Sequence, residues 1–144
     1  LKGPNLGPAS RPRTLQWACL CCLCLSSKPD VACLQEIKSQ DDGFPANEFE
    51  KVGYQAIWHG QKSFNGVAIL VKDGLLLTER RRGLPGDESD DHARYLEAEV
   101  EGVIIANLYL PNGNPHPGPK FDYKLAWMER LRAHMAQLWA RQII

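Results

Sequence analysis

The chain has no excess of charge of either sign. Seventeen Lys and Arg residues balance seventeen Asp and Glu residues in 144, so no global positive field draws it onto nucleic acid, and any grip on phosphate must come from a local patch. It also lacks an apolar run long enough to span a bilayer. The run Leu15 to Leu25 is interrupted only by Gln16 and falls short of the roughly 20 residues that a spanning helix needs. A secretory leader is the main rival reading of that run, because Lys2, Arg11 and Arg13 precede it and Ser26-Ser27 follow it. Pro29-Asp30 leads straight into a strand and leaves little room for processing, so the expectation is a cytoplasmic protein with no membrane partner. There is no P-loop and no dinucleotide fingerprint. His59, His92, His116 and His134 show no metalloprotease spacing, and no internal repeat or low-complexity tract occurs. Cysteines are few and oddly placed. Four of the five fall between Cys19 and Cys24 and the fifth is Cys33, which does not suit a secreted disulfide framework. Cys19-x-x-Cys22 or Cys21-x-x-Cys24 invites a zinc reading, but a structural site needs a second ligand pair and only Cys33 remains. Small apolar residues of a helix are the expectation.

What is present reads as one domain with a sizeable core. Leu1 to Arg13, with Gly3, Pro4, Gly7, Pro8 and Pro12, is expected to be irregular. Thr14 to Ser27 reads as a helix without a clear amphipathic face. Val31 to Gln35 is a short buried strand, and Pro45 to Val52 a short helix with Pro45 in its first turn. Tyr54 to His59 and Gly66 to Lys72 read as neighbouring strands joined by a polar loop, and Leu75 to Glu79 as a further strand. Arg80 to Asp91 is expected as a polar loop in which Arg80-Arg81-Arg82 is solvated. Arg94 to Val100 alternates Tyr95, Glu97 and Glu99 against Leu96, Ala98 and Val100, the period of a half-buried strand. Glu101-Gly102 turns it into Val103 to Leu110 as a hairpin. Pro111 to Pro119 is loop. The last segment predicts an amphipathic helix with Phe121, Leu125, Met128, Leu131, Met135 and Leu138 on its buried stripe and Lys124, Glu129, Arg130, Arg132 and Arg141 in solvent. Many short strands followed by one long helix suggest a layered α+β protein.

Three segments deliver polar side chains at strand ends: Asp30 to Lys38, His59 to Leu70 and Asn107 to Gly113. Glu36 follows an apolar strand, which would hold a carboxylate rigidly at a sheet edge. A hard cation such as Mg²⁺ commonly takes one or two protein carboxylates and fills its other positions with water and phosphate; a solvated surface Glu is the alternative. Tyr109 ends an apolar strand and either faces a phosphate oxygen or packs at the rim. Asn112 lies in the loop that follows. Asn65-Gly66 suits a turn that closes two strands as well as a substrate contact. Arg94 presents a planar fork suited to phosphate, and Lys120 a point charge, though most such residues are only solvated.

Leu34-Gln35-Glu36-Ile37-Lys38, the run His59 to Leu70 and Tyr109-Leu110-Pro111-Asn112-Gly113 together resemble the exonuclease III family of abasic-site endonucleases, within the endonuclease/exonuclease/phosphatase superfamily. The resemblance runs from about Lys28 to about Arg141. It implies a four-layer α/β-sandwich, of which this chain would supply about the first half. Residues 28–144 would be a partial domain and residues 1–27 an atypical N-terminal segment. It further implies Mg²⁺-dependent (or Mn²⁺-dependent) hydrolysis of DNA phosphodiesters in base-excision repair, on double-stranded DNA with abasic sites or 3′ ends, by a monomer. Glu36 would hold the metal and Tyr109 the phosphate, with Arg94, Asn112, Lys120 and Asn65 toward the DNA. The pattern is incomplete. The opening Trp-Asn-x-Asn is absent, Asn5 being no substitute, and neither the Asp-x-Asn strand nor the closing Asp-His pair occurs. The expectation is an inactive chain with an uncovered sheet face and a tendency to aggregate. The rival readings are a superfamily phosphatase and a non-catalytic DNA-binding fragment.

Overall fold

In a computed structural model, residues 13–142 are described. The segment from Leu1 through Pro12, with Lys2, Asn5 and Arg11, lies outside them, as does the side chain of Arg141. Six strands form two antiparallel sheets among the described residues. β1 (Val31–Gln35), β2 (Tyr54–His59) and β3 (Val67–Lys72) make one, in the order β1-β3-β2. β4 (Leu77–Arg82), β5 (Tyr95–Val100) and β6 (Val103–Leu108) make the other, in the order β4-β5-β6. α1 (Arg13–Ser27) and α2 (Ala46–Glu50) precede β2, and α3 (Pro119–Gln142) follows β6.

The unbroken apolar run of β3 reflects burial on both faces. Val67, Ile69 and Val71 meet Leu96, Ala98 and Val100 of β5 between the sheets. Ala68 and Leu70 turn the other way, onto Trp17, Phe44 and Phe49. Beyond β5, Tyr95 packs with Leu84 and Trp127 under α3. The order is therefore helices, sheet, sheet, helix, the four-layer α+β sandwich that the resemblance implies. The expectation of an uncovered sheet face needs correction at the centre, where β3 and β5 cover one another because the chain contributes three strands to each sheet; β4 stays exposed from Thr78 to Arg82.

Other expectations need correction. α1 does have a buried face: Trp17 and Cys24 are in the core with Leu20 and Cys21 against them, while Leu23 and Leu25 are exposed. β4 extends through Arg82 where a loop is expected, because each of two arginines finds acidic partners. Arg80 pairs with Glu99 and Glu97, and Arg82 with Glu79 and Asp41. β5 is buried on both faces rather than half-buried, since Glu97 is only 3% exposed. The Glu101-Gly102 turn has φ of 49° and 81°, as a tight two-residue hairpin requires.

α3 docks on a different stripe from the aliphatic one expected. Tyr123, Trp127, Leu131 and Met135 face the sheet, with His134 buried beside them, while Leu125 and Met128 are exposed. Polar pairs select this face. His134 Nε2 lies 2.9 Å from Glu97 Oε2, which also accepts the Tyr95 hydroxyl at 2.8 Å. The Tyr123 hydroxyl donates to Asp90 at 3.0 Å, and Arg130, expected in solvent, pairs with the same carboxylate.

Burial pushes the Glu97 carboxyl up, but the hydrogen bonds from His134 and Tyr95 outweigh it and leave the group below its ordinary value. A carboxyl lowered on folding contributes stability that is present above its unfolded value of about 4.3 and is lost as the pH falls through the folded one. Melting followed from about pH 6 to about pH 3 should therefore fall more steeply for the wild type than for Glu97→Gln. At Gly66, φ is +86° and an added Cβ would lie 2.4 Å from Ile37 Cγ1. Gly66→Ala should cost about 1–3 kcal/mol in denaturant titration.

Candidate active site

Antiparallel pairing gathers the sequence-singled residues at one end of the sandwich. β1 ends where β3 begins, with Gln35 opposite Val67. β6 ends where β5 begins, with Leu108 opposite Tyr95. Glu36, Asn65-Gly66, Arg94 and Tyr109 are the flanking residues at those four strand ends. The Gly66 amide donates to the Ala93 carbonyl at 2.8 Å and joins the two central strands there.

Glu36 leaves β1 with φ of 54°, in the left-handed region, where a residue with a long side chain is rarely held unless its surroundings impose it. Two bonds impose it here: the Ile37 amide to the Gly66 carbonyl at 3.2 Å, and the Lys38 amide to the Asn65 carbonyl at 3.0 Å. The carboxylate meets Lys38 Nζ at 3.0 Å, with both side chains about half exposed. Such a pair contributes little and is easily exchanged for another cation. Asn65 is buried and donates its amide to Gln61 Oε1 at 2.7 Å; the same oxygen accepts the Ala93 amide at 3.2 Å. Its position is that of a brace beneath the surface, and a substrate contact through that amide would have to break the bond to Gln61.

Arg94 and Tyr109 act on each other. The Tyr109 amide donates to the Arg94 carbonyl at 2.7 Å, and Arg94 Nη1 donates back to the Tyr109 carbonyl at 3.2 Å. The guanidinium carbon stands 5.1 Å from the centre of the Tyr109 ring, a cation–π distance. Arg94 Nε is buried without a hydrogen-bond partner among the described residues. Arg94 is thus bound up with the tyrosine more than it is free for a passing phosphate. Asn112 is exposed in the loop after β6; its side chain accepts from Asn114 at 2.9 Å and its carbonyl receives Lys124 Nζ at 3.5 Å. Lys120 is exposed in the first turn of α3. No hydrogen bond among the described residues brings Asn112 or Lys120 to Glu36 or Tyr109.

Two residues at this end are not among the sequence-singled candidates. Asn107 is 2% exposed and donates its amide to the Leu34 and Ala68 carbonyls at 2.8 and 2.9 Å. Gln35 Nε2 donates to the Leu108 carbonyl at 2.7 Å. The sequence does carry a signal for them. Each breaks the period-2 pattern, on the strand face that Val31 and Ile105 direct to the intersheet core.

The donor set suits a hard cation in a limited way. Glu36 offers one exposed carboxylate on a braced backbone, and such an ion needs few protein oxygens. Among the described residues no group of three or more His, Cys, Asp or Glu side chains is placed to hold a metal.

The Endonuclease/Exonuclease/phosphatase family model matches residues 20–143. An exodeoxyribonuclease III from Haemophilus influenzae is 41% identical over 90 residues, 60% of this chain and 33% of that protein. An exodeoxyribonuclease from Bacillus subtilis is 28% identical over 111 residues, 76% of this chain and 42% of its own length. Among solved structures, the 3′ phosphatase NExo from Neisseria, bound to a product DNA hairpin, matches with a TM-score of 0.81 at 33% identity, covering 88% of this chain and 49% of that one. An AP endonuclease from Archaeoglobus fulgidus matches with a TM-score of 0.72 at 32% identity, covering 80% and 44%. The chain thus spans less than half the length of the curated relatives it matches. With its paired sheets and outer helices, it belongs to the Endonuclease/Exonuclease/phosphatase family.

Proposed function

We propose that the chain carries part of the site of a metal-dependent DNA phosphodiester hydrolase of the exonuclease III type, acting at abasic sites and 3′ ends in DNA repair in the cytoplasm. The observation that carries this reading is that Glu36, Arg94 and Tyr109 all flank strand ends at the same end of the sandwich. Glu36 would hold Mg²⁺ or Mn²⁺ through its exposed carboxylate, displacing the weak pair with Lys38. When bound, such an ion polarises a phosphate oxygen as a Lewis acid. The Tyr109 hydroxyl would donate to a non-bridging oxygen of the same phosphate. Arg94 keeps the ring in place and holds positive charge close behind it. Asn112 and Lys120, both exposed, would meet the flanking backbone.

This set grips a phosphate but contains no general base placed to activate water. General acid–base help is worth about a hundredfold to ten-thousandfold. Incision of a labelled abasic duplex by this chain with Mg²⁺ is therefore expected to be slower by at least that factor than incision by the Haemophilus exodeoxyribonuclease III in the same assay. Mn²⁺ binding, followed by water-proton relaxation, should be weak and should disappear in Glu36→Ala. Unchanged binding in that variant would remove Glu36 from the metal site and this reading with it.

A second reading has its own support. The Neisseria relative is a 3′ phosphatase, and hydrolysis of a terminal phosphoester on DNA would use the same glutamate and tyrosine. A duplex ending in a 3′ phosphate, assayed beside the abasic duplex, separates the two by which substrate yields product.

A further inference from the structure

We propose that Gln35 and Asn107 are positioning residues, a pair of crossed amide hydrogen bonds that holds Glu36 and Tyr109 at a fixed separation. The proposal rests on the phosphate-hydrolase reading of the site. Gln35 reaches from β1 to the carbonyl of Leu108, the residue before Tyr109. Asn107 reaches from β6 to the carbonyl of Leu34, two residues before Glu36. Both bonds therefore lie within two residues of the putting-in-place of each functional side chain, one from each strand.

The need for them follows from the topology. β1 and β6 are edge strands of different sheets, so no ladder of backbone bonds sets their relative position. Each edge strand is laddered to its own central strand, and the amide bond from Gly66 to Ala93 ties those central strands at one point, so the two edges reach each other only through that relay. Between the sheets lies an apolar interface, and burial of apolar surface is non-directional. It resists separation far better than it resists sliding. A hydrogen bond has a fixed length and direction, and misplacement by about 1 Å in a reacting geometry costs about a hundredfold.

Stability alone is a poor reason for these side chains. An exposed hydrogen bond such as that of Gln35 contributes on the order of 1 kcal/mol. The buried Asn107 amide occupies an inward position that a Leu or Val would fill without a polar group to satisfy. The second bond of Asn107, to Ala68, extends the tie to β3 and so to the turn at Gly66 that holds Glu36.

If Glu36 and Tyr109 engage one phosphate, metal and DNA should bind cooperatively, and that cooperativity depends on their separation. The test is the ratio of duplex affinity with Mn²⁺ to affinity with chelator, measured by fluorescence anisotropy on an abasic duplex. It compares the wild type, Gln35→Met, Glu36→Ala, and Gln35→Met combined with Glu36→Ala. The wild type should show metal-enhanced binding and Glu36→Ala none. Gln35→Met should melt within about 4 °C of the wild type yet lose about tenfold of the enhancement, while the double variant should show none, as Glu36→Ala does. Asn107→Ala, studied at low temperature where it remains folded, should lose the enhancement as well. Full enhancement in Gln35→Met or in folded Asn107→Ala would overturn the positioning role alone. Absence of any enhancement in the wild type would overturn the reading of the site on which it rests.

Discussion

The contact between β3 and β5 is the constraint on which the rest of the molecule depends. Each is the central strand of its sheet, and each is buried on both faces. Val67, Ile69 and Val71 against Leu96, Ala98 and Val100 fix how the sheets face one another. The opposite faces of the same strands receive the helices, Ala68 and Leu70 below α1 and α2, Tyr95 below α3. Because both central strands begin at the same end of the sandwich, the edge strands that pair with them must finish there. The convergence of Glu36 and Tyr109 is a consequence of antiparallel pairing.

The outer layers are attached by different means. α1 and α2 rely on aromatic packing, with Trp17 edge-on to Phe44 and Phe49 and Phe44 stacked on Trp58 at 4.7 Å. α3 relies on polar anchors as well: Glu97 with His134, and Asp90 with Tyr123 and Arg130. Aromatic packing tolerates adjustment, whereas a buried carboxylate accepts its partners from fixed directions. That explains why α3 turns Leu125 and Met128 to solvent in favour of Trp127 and His134.

The strands were legible in the sequence because their periodicity is the direct image of burial. The doubly apolar run of β3 needed no tertiary information, whereas the short apolar run of β1 forms an edge strand with Cys33 and Gln35 exposed instead of the buried strand it suggests. Glu36 and Tyr109 were legible as polar residues that terminate such runs. What was hidden depended on partners distant in the chain. Arg80 and Arg82 extend β4 because Glu99 and Asp41 are there to receive them. The buried face of α3 cannot be read from aliphatic spacing when His134 and Tyr123 belong to it. Asn107 gives a polar signal in an inward position, but only the β1–β6 juxtaposition gives that signal a meaning.

The left-handed backbone at Glu36 carries a cost that the half-exposed pair of its side chain with Lys38 does little to offset. Glycine adopts that conformation freely, and asparagine tolerates it far better than glutamate does. Selection for heat resistance alone, without selection for turnover, would therefore drift toward Gly or Asn at position 36 and arrive at a sturdier protein with no carboxylate. On the proposed reading of the site, the glutamate at position 36 marks the point in this fold where stability and chemistry pull the sequence in opposite directions.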